Sequence, residues 1–262
     1  MKKDGVTYYS FPAALMFGFW ESEEQKICCL NNVLYYCAYS VWCEKGIRGQ
    51  AKEDDFHNLI CKELGLSKFA YDTKSRFYYA TRELRANYDP CTYNGLFWCI
   101  SANMFFDFYH NAKTAEERAG LLAYLATRSI IGQRPFAKTN KFFLTSRMAC
   151  NLKNQNELPE EIEKYRLRYH FDKLKTMLFT SFNVAIYSDK TMRGFYVSLK
   201  KDADGKPDIL WLAQQVNIRR LEKDSTDPLK DALQKVKSEL QKTKDTYTAP
   251  NEQREQHLKN ST

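Results

Sequence analysis

The chain has 262 residues, 44% of them hydrophobic and 15% aromatic, with 40 Lys and Arg against 32 Asp and Glu for a net charge of +8. That length buries a real core, and that aromatic content excludes wholesale disorder. Ten Gly and seven Pro are too few for a many-turned sandwich or barrel, so composition points to a mainly α-helical protein with little β structure.

The opening run "FPAALMFGFW" is apolar but short, and the "MKKDGVTYYS" before it carries an Asp and two Tyr, a poor leader for secretion. No run approaches the roughly 18 apolar residues of a membrane span. The eight cysteines follow no regular spacing and read as reduced thiols, which together with the missing leader gives an expected cytoplasmic location and no membrane association. Residues 11–43 read as one or two helices, because Ile27, Leu30, Leu34, Ala38 and Val41 recur at spacings of three and four. After the break "EKGIRGQ", residues 52–64 and 73–87 form two further helical patterns. Their order suggests a first helix-turn-helix at 52–87 inside an N-terminal helical domain, 1–112. The stretch "LFWCISANMFFDFYHN" is uniformly apolar and reads as core.

From residue 113 the punctuation sharpens. Thr114 and Glu117 have capping-box spacing before a helix that buries Leu121, Leu122, Leu125 and Ile130 and stops at Gly132. "QRPF" reads as a turn. Thr139 is the expected cap of a short second helix with Phe143, Leu144 and Met148 inward. Pro159 then opens a third helix, 158–179, whose seam is Leu167, Phe171, Leu174 and Leu178. Two alternating runs, "VAIYS" and "GFYVSL", joined by "DKTMR", form a hairpin over 183–199 with Val184, Ile186, Phe195, Val197 and Leu199 toward one core.

Three helices and a hairpin, ending in "FDKL…VAIYS…RGFYVSL", resemble a winged helix-turn-helix domain over about 115–200. The resemblance implies that helix 158–179 enters a DNA major groove while the hairpin touches phosphates or a neighbouring groove. With a second such unit near the N-terminus, the architecture is also similar to plasmid-type replication initiators. Charge agrees with a phosphate ligand: residues 1–110 hold 12 Lys and Arg against 13 Asp and Glu, residues 111–200 hold 16 against 8, and the remainder hold 12 against 11. A solvated basic face gives the same count.

With the seam inward, the expected DNA-binding set on the third helix is Tyr165, Arg166, Arg168, Tyr169, Lys173, Lys175 and Thr176. Lys190 and Arg193 join it from the hairpin, and Lys138, Lys141 and Arg147 from the two supporting helices. Exposed tyrosines suit a protein contact equally well, so the alternative is an interaction subunit of a larger assembly. Beyond residue 200, charged helices are expected over 201–246 and a disordered tail over 247–262. Helix 226–244, like the N-terminal domain, is a candidate surface for a homodimer or protein partner. No metal-ligand spacing, phosphate loop or hydrolase motif occurs, so no cofactor or metal is expected. The expectation is a non-enzymatic binder of double-stranded DNA, a transcriptional regulator or an initiator-like protein.

Overall fold

The computed structural model describes residues 2–3, 6–44, 83–84, 86–89, 92–188, 193–222 and 235–241. The protein is mainly helical, with two small antiparallel sheets of three strands each. It divides into a large unit, Met1–Leu212, and a second unit, Ala213–Thr262.

The N-terminal part does not begin as a helix. Strand β1 (Lys2–Lys3) pairs with β2 (Val6–Pro12), which pairs with β3 (Phe97–Ser101), and helix α1 starts only at Glu23 and runs to Glu44. The run "FPAALMFGFW" supplies the last strand residues and a 3-10 turn, and its Phe11, Ala13, Leu15, Met16, Phe19 and Trp20 are all buried. Opposed pairs Tyr9–Ile100 and Phe11–Trp98 make the inward face of the sheet. Helix α2 (Ala102–His110) follows β3 directly, capped by the Ser101 hydroxyl, which accepts from the Met104 N–H. The helices expected over 52–64 and 73–87 lie outside the described residues, save for helical residues 83–84 and 86–87.

Helix α3 (Ala115–Ile131) has the expected capping box. Thr114 Oγ1 accepts from the Glu117 N–H at 3.2 Å, and Glu117 Oε2 accepts from the Thr114 N–H at 2.8 Å. Such a cap is worth about 1 kcal/mol. Strand β4 (Ala137–Thr139) comes next, where the sequence suggested only a turn. Asn140, rather than Thr139, then caps helix α4 (Lys141–Met148) by accepting from the Phe143 N–H at 2.9 Å.

The expected third helix is two pieces. A single turn, α5 (Glu160–Glu163), continues as a 3-10 turn through Arg166. Leu167 is extended (φ −73°, ψ 142°), and α6 runs Arg168–Thr180. The cause lies in the apolar pattern. At about 100° per residue, Ile162, Tyr165 and Arg166 fall on roughly the opposite face from Phe171, Leu174 and Leu178. One continuous helix cannot bury both sets. The extended Leu167 resets the phase, so all six are buried, while Leu167 itself is 62% exposed instead of joining the seam.

The hairpin follows as β5 (Ala185–Tyr187) and β6 (Phe195–Ser198). The sheet order is β4-β6-β5, so β6 sits centrally and β4 pins the hairpin to the first helices. Val184, Phe195 and Val197 join the main core, which is continuous from Tyr9 to Val197 within the first unit. Two glycines permit close approaches. A Cβ at Gly120 on α3 would lie 2.1 Å from Met177 Sδ on α6, and one at Gly194 (φ +94°) would lie 2.3 Å from the Thr139 carbonyl oxygen.

A helix begins at 209 at the end of the first unit, and in the second unit residues 213–222 and 235–241 are helical. The rest of the expected helix 226–244 and the tail 247–262 lie outside the described residues. Among the described residues, no helix is long and apolar enough to cross a membrane.

Gly194→Ala combines a disfavoured φ with a clash against backbone, so it is expected to lower unfolding free energy by about 2 kcal/mol or more in urea denaturation. A loss under about 0.5 kcal/mol would show that the β4–β6 junction tolerates a side chain.

Candidate nucleic-acid interface

The expected site residues separate into three groups. The first group is structural. Tyr165 is 4% exposed, and burial, helped by the nearby Glu116 charge, pushes its phenol up to about 12. Arg166 is 9% exposed, not on an open flank. Its Nε donates to Thr145 Oγ1 at 3.2 Å, Nη1 to the Asn156 carbonyl at 2.8 Å, and Nη2 to the Gln155 carbonyl. Glu163 Oε2 lies 2.9 Å from Nη1, and the guanidinium lies over the Phe142 ring. Lys141 Nζ donates to the Arg166 carbonyl at 2.9 Å. Arg147 is half-buried over the Phe143 ring, and burial lowers its pKa. Arg166 holds the long 149–159 loop onto α4 and its charge faces inward rather than toward a ligand, while Lys141 and Arg147 are half-buried.

The second group shares α6. Its inner edge packs Phe171, Leu174 and Leu178, each contributing about 1.5–3 kcal/mol on burial. Its open face carries Arg168, Tyr169, Asp172, Lys173 and Thr176, with Lys175 at the flank. Arg168 is 97% exposed, with Asp172 at 3.9 Å. Tyr169 is 65% exposed, and Lys173 Nζ sits 5.0 Å from the centre of its ring. The lysines have acidic neighbours. Lys173 reaches Glu116 on α3 at 3.5 Å, and Lys175 reaches Asp172 at 2.6 Å. A hydrogen bond from Lys175, outweighing partial burial, holds Asp172 below the usual carboxylate range. Between α6 and the start of α3 runs a shallow groove lined by Glu116, Tyr169, Asp172, Lys173 and Thr176, in which two carboxylates face one ammonium. Cationic character is therefore concentrated at the N-terminal end of α6, at Arg168.

The third group lies at the second sheet. Lys138 on β4 is exposed, with Nζ 5.9 Å from the centre of the Tyr196 ring, and Arg193 is exposed just before β6. Lys190 lies outside the described residues. Two other basic residues of this region, Arg128 and Arg134, are engaged locally. Arg128 lies over the Tyr8 and Tyr124 rings, and Arg134 donates to the Ile130 and Ile131 carbonyls at the end of α3.

Sequence reasoning missed the exposure of Leu167, the acid Glu116 opposite Lys173, and the pairing of Lys138 with Tyr196. The out-of-phase trio Ile162, Tyr165 and Arg166 was the available signal for the first. The other two depend on contacts distant along the chain. Among the described residues, no group of three or more His, Cys, Asp and Glu is arranged to hold a metal ion. Cys29 and Cys37 are buried, and burial pushes both thiols up to about 12. No protein-family model, curated protein or solved structure matches the chain.

A second charged hub ties α1 to α3. Glu23 accepts from Lys26 Nζ at 2.6 Å, from Arg118 Nη1 at 3.2 Å and from the Lys113 N–H at 2.6 Å. Partial burial opposes ionisation of Glu23, but these hydrogen bonds and charges win and lower its pKa. A hydrogen bond from Lys113 likewise lowers Asp107. Carboxylates with depressed folded-state pKa values give stability that is complete above their unfolded pKa, about 4, and is lost as pH falls through the lower folded value. Unfolding midpoints are thus expected to be flat between about pH 5 and 8 and to drop below about pH 4, less steeply in Glu23→Gln. An unchanged acid limb in that variant would remove Glu23 as a contributor.

Arg166→Ala strips a buried cation from two carbonyls, a hydroxyl and a carboxylate. It is expected to cost about 3–5 kcal/mol in urea denaturation, whereas Arg168→Ala is expected to change stability by less than about 0.5 kcal/mol. Equal effects would contradict the division into structural and surface groups.

Proposed function

We propose that residues 113–200 are a winged helix-turn-helix domain by which this protein binds double-stranded DNA without catalysing a reaction, as a transcriptional regulator or an initiator-like protein. One observation carries the reading: α6 buries one edge on the core and offers the other, led by Arg168 and Tyr169, to a ligand. Support also comes from the element order α3, β4, α4, α5–α6, β5, β6, with the hairpin held beside β4, and from the 16-to-8 excess of Lys and Arg over residues 111–200. In this reading the N-terminal half of α6 approaches the groove, Arg168 and Arg193 neutralise phosphates, and Tyr169 and Thr176 meet base edges or sugars. Tyr165, Arg166, Lys141 and Arg147 support the helix from behind.

A second reading, docking onto a partner protein, is favoured by the 62% and 65% exposure of Leu167 and Tyr169 and by the acidic pairing of Lys173 and Lys175. The two readings differ in salt dependence. Affinity for random duplex DNA, followed by fluorescence anisotropy, is expected to fall steeply with salt, and the slope of log K on log salt should flatten by about 2–3 in an Arg168/Lys175/Arg193→Ala variant. Absent binding at about 50 mM salt, or a slope the variant leaves unchanged, would move this face to the protein-docking reading.

A further inference from the structure

The second sheet has two faces. One, formed by Ala137, Val197, Ile186 and Phe195, belongs to the main core. On the other, strand register sets Lys138 opposite Tyr196 and Tyr196 opposite Tyr187, so the three side chains form one row across all three strands. Beside this row, Phe136 is buried outside the main core, with the Tyr196 ring at 6.0 Å and the Trp211 ring edge-on at 6.0 Å. Lys200 Nζ lies 4.2 Å from the centre of the Trp211 ring. Part of the face is thus closed by the segment around Trp211. The row Tyr187, Tyr196 and Lys138 remains half-open, with both tyrosines partly exposed and Lys138 exposed.

We propose that this tyrosine–lysine row is a stacking platform for single-stranded DNA, separate from the duplex-reading edge of α6. Aromatic rings on a sheet accept base faces without regard to sequence, and flanking cations hold the backbone. Charge complementarity selects a polyanion over a neutral partner. Among the described residues no carboxylate pairs with Lys138, whereas the lysines of α6 face Glu116 and Asp172. The choice of DNA over RNA rests on the duplex reading above, while the platform itself does not.

The test is fluorescence anisotropy with labelled oligo(dT), oligo(U) and a random duplex, using the full chain and its Tyr187→Leu, Tyr196→Leu, Tyr187→Trp, Lys138→Gln and Arg168→Ala variants, with circular dichroism to confirm folding. Each Leu variant is expected to weaken oligo(dT) binding about ten-fold, and Tyr187→Trp to preserve it, because stacking needs the ring and not the hydroxyl. Lys138→Gln, an exposed change that leaves the core untouched, is expected to flatten the salt dependence of oligo(dT) binding, so the proposal stays testable if a tyrosine variant misfolds. Arg168→Ala is expected to weaken the duplex and spare oligo(dT). No oligo(dT) binding at low salt, or Leu and Gln variants that bind like the wild type, would overturn the platform. Tighter binding of oligo(U) would overturn the choice of DNA. Retained oligo(dT) binding with no duplex binding would remove the duplex reading alone.

Discussion

The guanidinium of Arg166 is the interaction on which the basic half of the molecule is organised. It contacts α4 through Thr145, the following loop through the Gln155 and Asn156 carbonyls, and α5 through Glu163. A loop of this length between two helices leaves backbone carbonyls that no secondary structure satisfies, and a fork of five N–H donors supplies what they lack. Lys141, donating back to the Arg166 carbonyl, closes the arrangement from the α4 side. The placement of α6 follows, because the chain must deliver Arg166 inward and then turn Phe171 inward five residues later, with Leu174 and Leu178 following on the same face.

What was legible in the sequence was whatever depended on neighbours along the chain. The Thr114–Glu117 box, the stop at Gly132, the buried positions of α3 and the alternation of the hairpin are all local patterns, and all are present. The mainly helical class follows from the same patterns. The misreadings had non-local causes. β2 was hidden because only its last two residues, Phe11 and Pro12, belong to the apolar run, which continues as a 3-10 turn rather than in alternation. β4, three residues long, exists because β6 is beside it. The unbroken third helix was a misreading of another kind, since it counted one apolar seam and ignored a second, opposed one. That error also turned Tyr165 and Arg166 into surface residues.

Charge was legible only as a sum. The excess over residues 111–200 is real, yet much of it is used internally. Arg166 is buried, Arg128 lies on aromatic rings, Arg134 donates to helix-end carbonyls, and Lys173 and Lys175 face carboxylates. Among the described residues, the cations open to solvent are fewer than the sequence count, and they include Arg168 at the start of α6, Lys138 and Arg193 at the second sheet and Lys153 in the 149–159 loop. Compensated surface lysines contribute little to long-range attraction, because a neighbouring carboxylate leaves only the field of a short dipole, which falls faster with distance than that of a lone charge.

The extended Leu167 also separates two helical phases. In an unbroken helix, adding or removing one residue upstream turns everything downstream by about 100°. Here the twist stops at one non-helical residue, and the rotation of α6 is set by its own anchors, Phe171, Leu174, Leu178 and the close approach of Met177 to Gly120. A change of length in the loop ahead of Gln155 therefore leaves the outward edge of α6 where it is, so long as Arg166 keeps its contacts with Gln155 and Asn156.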